Sequence, residues 1–232
     1  MKKILLIFGA EGALGKGVSS SLIKNDYDKI YLFDFKKTST YSNNIIEFRI
    51  ISDLSIEQNA ASAFEGIQPD KNSLFFLFST IGGFTGGKNL WETSSEEWQK
   101  MINMNLIANF NLAKYFSLLV NKSAGGSICF TSAFTGLTAE TKKSIYGVSK
   151  AALIHLVKTL ALEGKEINLS VNSIAPFIID TPANREWMQD ANFGNWIKPD
   201  EAGNFINSLF ENFNFVSGNN IILPHRFEII KK

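Results

Sequence analysis

Tyr146-Gly-Val-Ser-Lys150 is the stretch of this chain best suited to chemistry. A tyrosine and a lysine at i and i+4 share one face of a helix, so the phenol and the ammonium point the same way. An ordinary tyrosine, with a pKa of about 10, gives and takes protons sluggishly near neutrality. A neighbouring cation favours the phenolate and brings the group toward working pH, where it can serve as a general acid and base. The same spacing also arises on solvated helix faces, so its meaning rests on what surrounds it.

A second cluster lies near the N-terminus. Gly9-Ala10-Glu11-Gly12-Ala13-Leu14-Gly15 follows the apolar run Ile4–Phe8 and opens a helical pattern from Ala13 to Lys24. Glycines there let the backbone turn tightly and approach a pyrophosphate, whose charge rests on the helix N-terminus. Asp34 closes the next apolar run, about 20 residues on, where a carboxylate binds an adenosine ribose hydroxyl. That carboxylate repels a 2′-phosphate and so favours NAD over NADP, while Lys36 and Lys37 soften the preference. Asp53 is a candidate for the adenine pocket, or equally a helix N-cap ahead of Leu-Ser-Ile-Glu.

The elements that must hold these groups are short apolar runs alternating with helical patterns. Strands are expected at Ile4–Phe8, Ile30–Phe33, Ile45–Ile50, Leu74–Ser79, Ser127–Thr131, Ser170–Ile174 and Asn220–Leu223, and the longest helices at Glu96–Val120 and Ile145–Leu162. Such alternation predicts right-handed βαβ units and an α/β, Rossmann-type doubly wound, seven-stranded parallel sheet with helices on both faces. At 232 residues the chain has room for one such domain, spanning 1–232. Ligands then sit at the carboxyl ends of the strands.

Composition narrows the function. A formal charge of +1 advertises neither nucleic acid nor a membrane surface. One cysteine excludes an internal disulfide and a Cys-based metal cluster, and two histidines, His155 and His225, argue against zinc. Cys129 reads as a small buried hydrophobe, His155 as structural, and His225 as surface or interface. The run Ile4–Phe8 is too short for a signal peptide or a span, so a cytoplasmic location is expected.

Together the glycine loop, Asp34, Asn105, Tyr146, Lys150, Asn172, and Pro176 with Thr181 fall in the order and spacing of the short-chain dehydrogenase/reductases, which the chain resembles over nearly its whole length. The resemblance implies that Tyr146 is the general acid/base and that Lys150 holds the nicotinamide ribose and lowers the tyrosine pKa. It implies that Asn105 supports a water relay to the lysine, and that Gly9, Gly12, Ala13, Leu14, Gly15, Gly82, Pro176 and Thr181 line the cofactor. It also implies pairing through the two long helices into a homodimer or homotetramer.

Departures from the family pattern are informative. The glycines are spaced G-x-x-G-x-x-G, Ser79-Thr80-Ile81-Gly82-Gly83 replaces the usual Asn-Asn-Ala-Gly, and Phe177 replaces a glycine. Ala133 stands where the family's substrate-polarising serine usually lies, with Ser132 one step earlier. Strand side chains alternate, so a one-residue slip aims Ser132 away from substrate unless the strand end is irregular. The first, second and last of these departures together resemble the dihydropteridine reductase branch, as do Gly-Gly-Phe84-Thr-Gly-Gly and Asp180-Thr181-Pro182-x-Asn184-Arg185. That resemblance implies an NADH-dependent reductase of a quinonoid dihydropteridine-like small molecule. The alternatives are a carbonyl/alcohol oxidoreductase using Ser132, Tyr146 and Lys150, and a catalytically idle dinucleotide sensor. Phe84, Phe177, Trp187, Met188, Phe193 and Trp196 are expected around a flat substrate pocket, beside Ala133.

Overall fold

The computed structural model describes residues 1–41 and 43–227; the C-terminal Lys231-Lys232 pair lies outside the described residues. Seven strands, β1 (Lys2–Phe8), β2 (Lys29–Asp34), β3 (Ile46–Ile50), β4 (Ser73–Ser79), β5 (Gly125–Thr131), β6 (Leu169–Pro176) and β7 (Asn220–Leu223), form one sheet in the order β3-β2-β1-β4-β5-β6-β7. Every pairing is parallel. The helices are α1 (Ala13–Leu22), α2 (Glu57–Ala63), α3 (Ser95–Ile102), α4 (Ala108–Val120), α5 (Ser144–Glu163), α6 (Pro182–Trp187) and α7 (Pro199–Glu211).

The alternation within β1 shows why both faces need cover. Leu6 and Phe8 join the core beneath α2, α4 and α5, with Leu112, Phe116, Leu153 and Val157. Leu5 and Ile7 join the opposite core, with Val18 and Leu22 of α1 and Ile206 and Phe210 of α7. A strand buried on both faces reads as a continuous apolar run, and this is how the sequence displays it. Helices α1 and α7 approach closely because Gly17 and Gly203 have no side chains; a Cβ on Gly17 would lie 2.2 Å from Pro199 Cβ. Helix α5, with the turn that continues it to Ile167, is long enough and, at mean hydropathy 1.3 in its most apolar 18 residues, apolar enough to cross a membrane by length and composition. Here it is a core helix, with Leu153, Val157 and Ala161 packed into the sheet's cover.

The order of strands reverses between β1 and β4. Their carboxyl ends diverge there into the glycine loop and the segment 79–83, and the crevice between them is the natural ligand site of such a sheet. The long helix expected at Glu96–Val120 is interrupted. A π-turn at Asn103–Ile107 separates α3 from α4, and the Asn109 side chain donates to the Asn105 carbonyl across it at 3.0 Å. A π-turn of this kind arises where a side chain must leave the regular helical face.

Candidate active site

The side chain that leaves that face is Asn105. It is fully buried, its oxygen accepts the Gly83 N–H at 2.9 Å, and its amide donates to the Gly83 carbonyl and to Ser149 Oγ, both at 3.0 Å. Asn109 adds a bond from its amide to the Ile81 carbonyl and accepts from Ser79 Oγ. Two asparagines thus hold the segment after β4 against α5. Gly82 fits this cradle closely: a Cβ there would lie 2.5 Å from Asn105 Oδ1 and 3.1 Å from Lys150 Nζ.

Tyr146 and Lys150 come together on the first turns of α5, as their spacing predicts. Lys150 is buried, its ammonium donates to the Thr131 carbonyl at 2.8 Å, and its Nζ lies 6.0 Å from the Tyr146 ring centroid. Burial pulls its pKa down to about 8. The tyrosine differs from the expectation. Its pKa is pushed up to about 12, first by burial and then by the negative charge of Glu140, so the phenol is protonated across the neutral range. Desolvation of the phenolate outweighs the help of a lysine whose charge is turned to Thr131.

The depressed Lys150 pKa has a consequence for stability. Its ordinary value is 10.5, so the unfolded chain holds this proton more tightly than the folded one. The cost of a buried ammonium is therefore present below about pH 8 and is relieved as pH rises toward 10.5. In Lys150→Met this pH dependence should vanish. Denaturant midpoints of the two proteins across pH 7 to 10.5 check it: their difference should change with pH, and a constant difference would contradict it.

A cavity of about 680 Å³ opens over these groups, with Phe84, Ala133, Lys143, Tyr146, Phe177 and Trp187 among its walls. Phe84 stands edge-on to Tyr146 with ring centroids 5.0 Å apart, and Phe177 stands edge-on to Phe134. Leu14 and Pro176 also reach this cavity, while Thr181 caps α6 by accepting the Asn184 N–H. The expected aromatic cluster is smaller than the sequence suggests. Trp196 is buried against Phe193, whose ring Arg185 covers, and Trp196 lines a neighbouring cavity with Phe177 and His225 instead. Asp180 holds Arg185 through two bonds, at 2.6 and 2.8 Å, which braces the start of α6.

Ser132 touches the cavity, but its hydroxyl is engaged elsewhere. It lies 2.8 Å from the Ile174 carbonyl and 2.5 Å from Asn220 Oδ1, on the β6–β7 side. Ala133, in extended backbone, presents only a methyl. Asn172 is structural: from the middle of β6 its side chain bonds Val216 and Asn219 ahead of β7. Cys129 is buried and its thiol is pushed up to about 12 by that burial.

A second cavity, of about 350 Å³, shares Thr80 and Gly82 with the first and continues the cleft to Gly9, Gly12, Asp34 and Asp53. Gly9 takes φ +82°, a conformation that favours glycine, and a Cβ on Gly15 would lie 1.9 Å from Gly9 O. Ala13 begins α1, with Gly12 as its cap. Asp34 accepts the Glu11 and Phe35 N–H groups, each at 2.7 Å. Asp53 lies in the cleft and binds Ser55 in a turn; the cap of α2 is Ile56 rather than Asp53. The arrangement has the form of a dinucleotide cradle: a glycine turn, a helix start, a carboxylate at the end of β2, and a continuous cleft ending at Tyr146. Thr131, Thr135 and Lys143 complete the walls without a motif in the sequence to mark them, and Glu140 stands behind them, bonded by Thr135 and Lys143; an acidic residue within the glycine loop, Glu11, is a local signal of the glycine-loop end of the cleft.

The fold and the cleft define an NAD(P)-binding oxidoreductase. The chain belongs to the short-chain dehydrogenase family, whose model matches residues 3–192. It is 32% identical to the dihydropteridine reductase of Dictyostelium discoideum over 217 residues, 91% of this chain and 87% of that protein. It is 25% identical to carbonyl reductase family member 4 of Xenopus laevis, over 91% of this chain and 92% of that one. Among solved structures, ElxO with NADP bound superposes with a TM-score of 0.84 at 25% identity, covering 97% of this chain and 98% of that one.

Proposed function

We propose that the protein is an NADH-dependent reductase of a flat, electrophilic ring of the quinonoid dihydropteridine kind. The observation that carries this reading is the committed hydroxyl of Ser132 beside the methyl of Ala133. A carbonyl substrate needs its oxygen polarised as hydride arrives. A quinonoid dihydropterin is already electrophilic, and its reduction relieves the quinonoid bonding, so Tyr146 alone can suffice. The similarity to dihydropteridine reductase supports the same substrate class.

Bound NADH supplies the hydride. Gly9, Gly12, Ala13, Leu14, Gly15 and Gly82 would hold its phosphates and ribose, Asp34 and Asp53 its adenosine end, and Pro176 and Thr181 its carboxamide. Tyr146 gives its phenolic proton to a ring nitrogen of the substrate, so that one proton and one hydride together complete the two-electron reduction across the conjugated diimine and the quinonoid bonding is relieved. Lys150 orients the nicotinamide ribose, and its charge stabilises the phenolate once the proton has left. Asn105 holds the Gly83 backbone and leads water toward Lys150. Phe84, Phe177 and Trp187 sandwich the ring and exclude water.

Ser132→Ala tests the reading. Turnover of a quinonoid dihydropterin should stay within about threefold of the wild type, because the hydroxyl is not used. A loss of about a hundredfold or more would instead favour a carbonyl/alcohol reductase acting through Ser132, Tyr146 and Lys150. The second reading draws on Ser132 reaching the cavity wall and on the likeness to a carbonyl reductase. A catalytically idle dinucleotide sensor has no use for Tyr146 and Lys150 set together in a cavity next to the dinucleotide cleft.

The whole chain acts as one domain in this reading, in the cytoplasm, as a homodimer or homotetramer. Trp98, Phe110 and Leu118 on α3 and α4, with Val148 and Leu162 on α5, are exposed apolar side chains that a second copy would cover.

A further inference from the structure

Glu11 sits inside the glycine loop, yet its side chain is only 3% exposed. Its carboxylate accepts the Thr38 hydroxyl and the Ser39 N–H, the latter at 2.9 Å, and the Lys16 ammonium lies 3.7 Å away. Its own N–H is held by Asp34. Burial alone would raise its pKa, but the bonds from Ser39 and Thr38 prevail and hold it at about 2. The carboxylate is therefore charged throughout the neutral range.

A hydroxyl, a backbone N–H and a lysine converging on one anion make the donor set that a phosphate monoester takes. Glu11 itself lines the adenosine end of the cleft, together with Asp34 and Lys36. We propose that Glu11 is an internal anion occupying the donors that a ribose 2′-phosphate would need, so that it determines cofactor choice together with Asp34. Asp34 repels the phosphate; Glu11 removes its ligands. This explains how the chain can carry Lys36 and Lys37 after β2 without becoming an NADPH enzyme. It rests on the NADH reading above and adds to it a residue outside the reaction centre.

The test uses adenosine fragments, so it needs no substrate. Calorimetry on the purified protein compares ADP with 2′,5′-ADP. The wild type should bind ADP more tightly, and Glu11→Ala should raise the affinity for 2′,5′-ADP relative to ADP on the order of tenfold. Glu11→Gln keeps the side-chain volume and one acceptor while removing the charge; a severalfold shift in the same direction is expected, and this variant decides if the alanine protein does not fold. An unchanged ratio in a folded variant overturns the role of Glu11. A wild type that already binds 2′,5′-ADP more tightly overturns the NADH reading itself, whatever the variants do.

Discussion

Tyr146→Phe should abolish almost all turnover while leaving the protein folded and nucleotide-competent. The phenyl ring keeps its place in the wall and its edge-on contact with Phe84, so packing is little changed. What disappears is the one hydroxyl that burial and Glu140 hold protonated beside the substrate space. A positioned general acid contributes typically 10²–10⁴-fold, so kcat/KM with a quinonoid dihydropterin should fall by about 10³. NADH affinity, read by fluorescence of the bound nicotinamide, should change by less than about tenfold, a small share of the binding energy. Turnover at the wild-type rate would remove Tyr146 from the mechanism.

Gly15→Ala should have the largest effect on the cofactor. Its Cβ would meet Gly9 O at 1.9 Å and the Gly9 and Ala10 carbonyl carbons at 2.9 and 3.1 Å, all of them backbone atoms that cannot rotate away. Relief requires α1 to move off the loop, which dismantles the turn that offers N–H groups to a pyrophosphate. Forced overpacking costs about 1–3 kcal/mol, often at the expense of local geometry. Each 1.4 kcal/mol is about tenfold in affinity, so NADH binding should weaken by roughly tenfold to a hundredfold. Thermal melting of the variant should also fall. A protein with wild-type affinity and melting temperature would mean that the loop is far softer than its contacts indicate.

The frame was readable because its signals are local. Ile4–Phe8 and Leu74–Ser79 lie in the sheet interior and announce themselves as unbroken apolar runs. Tyr146 and Lys150 needed only helical spacing, and Gly9, Gly15 and Asp34 only the order strand, turn, helix, strand. The parts that escaped depend on where a chain goes after it leaves an element. Trp196 is of the same type as Trp187, yet Trp187 lines the cavity with Tyr146 while Trp196 packs on Phe193 in the neighbouring one, a difference set by the path of the chain through the bridge between Ile179 and Ile197 and not by residue type. The π-turn at Asn105 has no composition of its own; it exists because Gly83 lies within reach of that side chain. The electrostatics were least legible. Spacing places an ammonium near a phenol, but whether the phenol loses or keeps its proton depends on burial and on Glu140, which comes from a loop six residues away in sequence.

Steady-state NADH oxidation by the purified protein with a quinonoid dihydropterin, run beside NADPH, tests the central claim most directly. Rapid turnover with kcat/KM favouring NADH is the predicted result, and it would bear on the pterin pocket and on the Asp34 and Glu11 carboxylates together. No turnover by a protein that still binds NADH tightly would contradict the substrate assignment, and faster turnover with NADPH would contradict the cofactor assignment.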